Sequence, residues 1–562
     1  MLKEERFWIK KLSFPQSVKS RQMIPSSACP PGQIRGVATT TQRNGQPYYA
    51  YLGIPFAAPP VGNLRFQPPQ PVASWDGILD TQQYNNMCYQ VGNDNSLETE
   101  DCLYINVYTP EAPGTNAALP VMFNIYGGGY VHGYAGGLYG PQFVVEQDVV
   151  VVSINYREIK HSSYVLKGNI GIRARNIRFL STGDTVIPGN MGLKDQQFGL
   201  KWVQENIHLF GGDPTKVTIM GQSAGAASVT FQILSPGSSG LFRAGIAESG
   251  SALCGFAYQR NPVDTAYGVA AAIDPTFTND KTSQELLEFL QSVDAKAIDN
   301  TADQYKTYAP VIEVEHDGAF ITESMYEAVK NGRINKVPLV IGINSEEQIA
   351  HAADLDNLKK TMRNYEKNVQ LLVSDDMNID DSDTRTAAGE AAKEIYTDGL
   401  FQDDPVASIE FLSDSAYVRA IIRYAEWQSH YTDVYFYQFS YHGLLGGNDV
   451  SLDGLGKVAH AEDTKYLWSK VSGTDLSSYP ASDITTLDRY VALFTNFAKT
   501  LNPTPETTDL LQNVIWPKAS SDQYYYLDID ENLQIKENPR EFSYRKWVEL
   551  YDTYANEPLI SY

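Results

Sequence analysis

The chain has 562 residues, a formal net charge of −23, 43% hydrophobic and 12% aromatic content, and four cysteines. Apolar content on this scale supports a large buried core and excludes a disordered chain. The acidic balance argues against nucleic acid or an anionic membrane as partner, and four cysteines are too few for a disulfide scaffold. No apolar run reaches the roughly eighteen residues of a membrane span.

In chain order, residues 1–26 read as a basic, weakly patterned lead-in, and 27–562 as a single α/β domain with no repeat or low-complexity linker. The charged opening Met1–Lys11 lacks the apolar run of a signal peptide. No Asn-x-Ser/Thr acceptor with a permitted middle residue occurs, and the tail carries no lipid-anchor or retention signal. Cys88 and Cys102 bracket a short polar stretch and could close a small loop in an oxidising compartment, or stay reduced; Cys29 and Cys254 have no evident mates. Leu119–Tyr126 and Val149–Tyr156 are near-continuous apolar runs, as expected of strands buried on both faces. Glu158–Arg178 is locally basic and shows neither helical nor strand period, which predicts an exposed loop insertion.

Met191–Phe210 has helical spacing and ends at Gly211-Gly212. Val217–Met220 is a predicted strand and Ala226–Val229 a small-residue helix start. Val337–Ile343 and Tyr435–Phe439 supply two further strands, while the helix-rich segments 260–330 and 350–430 cap the sheet. Buried strands alternating with helices predict a large, mostly parallel twisted sheet covered on both faces.

Between the Val217–Met220 strand and the helix lies Gly221-Gln222-Ser223-Ala224-Gly225. A serine hydroxyl is a weak nucleophile and needs an exposed, sharply turned position beside a base, which a strand–turn–helix elbow provides. Acyl transfer also needs donors for the developing oxyanion. Gly127-Gly128-Gly129 follows a buried strand directly, so the N–H groups of Gly128 and Gly129, with that of Ala224, are the expected donors. In this chain order an acid comes next and the histidine last. Ser345-Glu346-Glu347 follows the Val337–Ile343 strand and offers the carboxylate. His351, His430, His442 and His460 remain for the base; His460 sits on a loop after the last strands, with His442 its rival.

At these residues the chain resembles the type-B carboxylesterase/cholinesterase family, insect carboxylesterases in particular. The likeness runs from about Gly32 to Tyr551 and includes Tyr51–Phe66, Glu100–Pro110, Gly189–Gln196 and Phe210–Pro214. It implies an α/β-hydrolase fold, no cofactor, no metal, and hydrolysis of small-molecule carboxylic esters through an acyl-enzyme. It maps the nucleophile to Ser223, the base to His460, and the oxyanion hole to Gly128, Gly129 and Ala224. The family's acid precedes a glycine; here Glu347 precedes Gln348, which leaves Glu346 as the alternative. The family's first disulfide maps to Cys88 and Cys102.

Two departures from cholinesterases point to a general carboxylesterase. Tyr89–Asp101 holds no tryptophan, and Gln222 stands where they have glutamate. A third departure is length. Glu158–Arg178 replaces a short connection, and its composition suits either a lineage insertion or a gene-prediction error, as does that of the lead-in. A lipase or a hormone or pheromone esterase is the alternative within enzymes. A non-catalytic adhesion relative is the alternative outside them. The expected form is a monomer or weak oligomer with no nucleic-acid partner. A family-type disulfide favours secretion, whereas the missing leader and glycosylation acceptors favour the cytoplasm.

Overall fold

The computed structural model describes residues 32–89, 97–136, 139–157, 179–300, 309–520 and 523–562. The lead-in and the basic insertion at 158–178 fall outside these residues. The central sheet has eleven strands. In chain order they are β1 (Val37–Thr40), β2 (Pro47–Pro55), β3 (Tyr104–Thr109), β4 (Leu119–Ile125), β5 (Val150–Ile154), β6 (Gly212–Gln222), β7 (Ala244–Glu248), β8 (Leu339–Asn344), β9 (Val434–Phe439), β10 (Tyr525–Ile529) and β11 (Gln534–Glu537). Their spatial order is β11-β10-β9-β8-β7-β6-β4-β5-β3-β2-β1.

From β10 across to β5 every neighbouring pair is parallel. The margins β5-β3-β2-β1 and β10-β11 are antiparallel. The apolar runs of β4 and β5 are buried along nearly their whole length, as strands covered on both faces must be. The predicted helix at 191–210 is α1 (Met191–Asn206), closed by a 3₁₀ turn at Ile207–Phe210. The helix expected from Ala226 starts two residues earlier, as α2 (Ala224–Leu234).

Alternation along the strands divides the core between the two faces. One face carries Phe123, Ile219, Ala247 and Ile341 and is covered by α1, by α2 and by α3 (Arg419–Ser429). The other carries Met220, Ile246, Val340, Tyr437 and Phe439. There α4 (Ala481–Thr500) lays down Leu487, Tyr490, Val491, Phe494 and Phe497. Across this second face the register aligns Gln222, Glu248, Gly342 and Tyr437 in a single row. Cys88 and Cys102 form a disulfide, and Cys254 is a buried free thiol.

Candidate active site

Ser223 links the end of β6 to the first residue of α2 with φ 57° and ψ −121°. This is a strained conformation for a residue with a Cβ, and the surrounding contacts must hold it. Its N–H donates to the Glu248 carbonyl at 2.8 Å, and its carbonyl accepts from Ala227 N–H at 2.9 Å. The flanking glycines permit the turn because backbones meet there. A Cβ at residue 225 would collide with the Ile125 carbonyl oxygen, and one at residue 221 would lie 2.6 Å from the same atom. The elbow is thus wedged between β4 and β7.

His460 Nε2 lies 2.9 Å from Ser223 Oγ, and His460 Nδ1 lies 2.7 Å from Glu347 Oε2. The other carboxylate oxygen, Glu347 Oε1, accepts from the Ser249 hydroxyl and from Asn344 N–H, each at 2.7 Å. Three contacts therefore hold one fully buried carboxylate and fix the imidazole's orientation. The histidine loop is laced to the acid's loop. His460 N–H donates to the Glu347 carbonyl at 3.1 Å, Glu346 N–H to the Val458 carbonyl at 3.1 Å, and Asn344 Nδ2 to the Ala459 carbonyl at 2.8 Å.

Glu346 points elsewhere. Its carboxylate accepts from the Ser413 hydroxyl and pairs with Arg540 at 2.8 Å. The rival histidines are also apart from Ser223: His442 is exposed with Nε2 3.1 Å from the Asn448 carbonyl, and His351 contacts the Gln348 side chain at 2.8 Å.

Gly128 has φ 131° and Gly129 φ 62°, a left-handed stretch that suits glycine. A Cβ at residue 128 would strike the His132 carbonyl oxygen, whereas one at residue 129 would meet only Val131 Cγ2, at 3.5 Å. The Gly128 carbonyl accepts from Val131 and His132 at 3.0 and 3.2 Å. The Ala224 N–H belongs to the first turn of α2, where helical N–H groups lack intrahelical partners and carry partial positive charge. Its place beside Ser223 suits a developing oxyanion.

Three neighbours were not evident from sequence. Gln222 Nε2 lies 3.2 Å from His460 Nε2, beside the serine contact. Tyr417 stacks on the imidazole, with ring centres 4.4 Å apart and planes at 34°; it belongs to a π-helical stretch, Asp414–Val418, ahead of α3. Ser249, one residue beyond β7 at φ 54°, donates to the acid. The Ser249 and Tyr417 contacts depend on strand packing and a helical irregularity, which local sequence pattern does not encode. Among the described residues no cluster of three His, Cys, Asp or Glu is placed to hold a metal, and no helix is long and apolar enough to cross a membrane.

Residues 23–547 match the family model described as "Carboxylesterase family". The chain belongs to the carboxylesterase family. A "Carboxylic ester hydrolase" of Bombus ignitus is 31% identical over 90% of this chain and 90% of its own length. The "Juvenile hormone esterase" of Tribolium castaneum is 31% identical over 84% of this chain and 82% of its own. A crystal structure of juvenile hormone esterase from Manduca sexta, with OTFP covalently attached, superposes with a TM-score of 0.79 at 27% identity. That match covers 95% of this chain and 100% of the other. The fold is that of an α/β-hydrolase, as the resemblance implied, and the protein is a serine hydrolase of carboxylic esters.

Proposed function

We propose that Ser223, His460 and Glu347 are the catalytic triad of this esterase, with Gly128, Gly129 and Ala224 supplying the oxyanion hole. The observation that carries the reading is the unbroken chain from Ser223 Oγ to His460 at 2.9 Å and on to Glu347 at 2.7 Å, built on a strained serine. Ser223 Oγ attacks the ester carbonyl carbon while His460 Nε2 takes the hydroxyl proton. The oxyanion is held by the three N–H groups, and His460 returns the proton to the leaving alcohol as the C–O bond breaks. Water then repeats the sequence on the acyl-enzyme and releases the acid. Glu347 orients His460 and stabilises the imidazolium.

The substrate class proposed is small-molecule carboxylic esters in general, not choline esters. The tryptophan-free Tyr89–Asp101 segment and Gln222 support this. A second reading, a hormone-type ester as preferred substrate, is supported by the likeness to the juvenile hormone esterases.

Two measurements test these readings. A fluorophosphonate should label wild-type protein once, at Ser223, and Ser223→Ala should lose both labelling and turnover, by about 10⁶-fold. An adduct at any other residue overturns the triad. A chain-length series of p-nitrophenyl esters should be turned over faster than choline esters. If juvenile hormone instead exceeds every p-nitrophenyl ester in kcat/KM, the second reading replaces the first.

A further inference from the structure

Glu248 ends β7, immediately behind the Ser223 elbow, and is 1% exposed. Its backbone carbonyl receives the Ser223 N–H, but neither carboxyl oxygen has a hydrogen-bond partner among the described residues. A buried carboxylate with no donor is costly, and such an orphan asks for an explanation. The sheet register defines its surroundings. In its row stand Gln222 on β6, whose amide touches His460, and Gly342 on β8. Beyond the glycine comes Tyr437 on β9, its ring leaning over the space that a side chain at residue 342 would fill.

The covering helix α4 adds Tyr490, and the histidine loop adds Asp463, three residues past His460 and fully buried. Asp463 is well supplied with donors. Asn344 Nδ2 lies at 3.2 Å, Tyr490 OH at 3.0 Å and Tyr437 OH at 3.4 Å. The remaining titratable groups nearby are Glu347 and His460, which are paired with each other. The two acids lie on either side of Tyr437, with no lysine or arginine paired to either among the described residues.

The donors decide between them. Three donors stabilise the charged form of Asp463, whereas Glu248 has none. Burial pushes the Glu248 carboxyl well above the ordinary carboxylate range, and the charge of Asp463 pushes the same way. Burial also raises Asp463, with the Asn344 hydrogen bond opposing it.

We propose that Glu248 is held as a neutral carboxylic acid while Asp463 keeps the charge, so that a single negative charge stands behind the His460 loop and positions His460 electrostatically through Asp463. The proposal rests on His460 being the base. Glu248 and Asp463 are positioning residues, since neither touches the reacting atoms.

A neutral Glu248 in the folded chain binds a proton that the unfolded chain releases above the ordinary carboxyl range. Wild-type stability must therefore fall as pH rises through neutrality, relative to a variant that cannot titrate there. Glu248→Gln should gain on wild type by up to about tenfold in the folding equilibrium constant per pH unit between pH 5 and 8, read from urea midpoints. Its pH–kcat/KM profile should keep the wild-type acid limb. Asp463→Asn, which removes the charge, should move that limb to lower pH, because imidazolium loses a stabilising neighbour.

A pH-independent stability difference for Glu248→Gln, or an acid limb displaced as far as in Asp463→Asn, would overturn the proposal. So would an unmoved limb in Asp463→Asn. If Glu248→Gln fails to fold, Glu248→Leu carries the same pH-dependent stability test. Failure of the triad is distinguishable, because His460→Ala would then retain turnover whatever these variants do.

Discussion

The chemistry at the residue scale depends on one-residue distinctions. Adjacent glutamates end in different places because Glu347 meets three donors around β8 while Glu346 is claimed by Arg540 and Ser413. Glu347→Gln should lower kcat by about 10⁴-fold, since the amide no longer selects the right imidazole tautomer. Glu346→Gln should instead lower stability, with kcat of the folded fraction little changed; urea titration beside kcat separates the two, and the reverse ranking would move the acid by one residue. Likewise His460→Ala should abolish turnover and His442→Ala should not. The glycines differ as well. Gly128→Val forces a backbone collision and should cost at least the 10²- to 10³-fold of a lost oxyanion donor. Gly129→Ala meets only an ordinary contact with Val131 Cγ2 and carries a left-handed strain of about 1–2 kcal/mol. Binding of an uncharged ground-state analogue should change little in the Gly129 variant; equal losses in binding and turnover would mean that the loop shapes the pocket instead. Much of this scale was legible in sequence, because Gly221–Gly225 and Gly127–Gly129 are local signals and the order of acid before histidine narrows the remaining candidates. Gln222 was legible only as a departure; its 3.2 Å approach to the imidazole was not.

Elements differ in how openly the sequence declares them. The runs of β4, β5, β8 and β9 announce buried strands because both of their faces are covered. Ala244-Gly245-Ile246-Ala247-Glu248 does not, since alanine and glycine carry no strand signal and a terminal glutamate argues against burial. That strand nonetheless receives the Ser223 N–H and supplies Glu248. The outermost strands β1 and β11 carry no such signal either, because β1 is buried at only one of its four residues and β11 at none. Tyr417 belongs to this scale, because a π-helical stretch interrupts the run from Pro405 to Ser429 and sets the ring against His460. Such irregularities gather at functional sites. Tyr417→Ala should lower kcat about 10- to 100-fold by freeing the imidazole, with KM for small esters less affected. Tyr417→Phe should retain activity, as the contact is a ring contact; a Phe variant as poor as Ala would show that the hydroxyl matters.

Over the whole molecule, two cores on opposite faces of one sheet hold the site at the C-terminal strand ends, where open α/β sheets bind ligands. Distant parts are tied by buried charge. Arg419 is 2% exposed, approaches Asp376 at 3.5 Å and stacks near Trp547, Tyr551 and Tyr562. Arg419→Met should lower stability by about 1–3 kcal/mol through loss of its contact with the Tyr551 hydroxyl and its packing on the rings, since Asp376 keeps Arg260, Ser374 and Ser561 as partners, with kcat per titrated site unchanged. Urea unfolding with active-site titration checks both. Such contacts join residues far apart in sequence, so composition forecast an ample core but not which side chains would meet in it.

The separation of the three central side chains has a consequence for biogenesis. Ser223 and His460 lie 237 positions apart, and Glu347 and His460 113. On the ribosome, a chain that has already formed the elbow carries an inert hydroxyl until the loop around His460 emerges and docks. With the proposed triad, the chain should be unreactive toward esters until the His460 loop has docked. Fluorophosphonate capture during refolding or translation would mark the moment of closure, with reactivity appearing in one late step and not in proportion to strand formation.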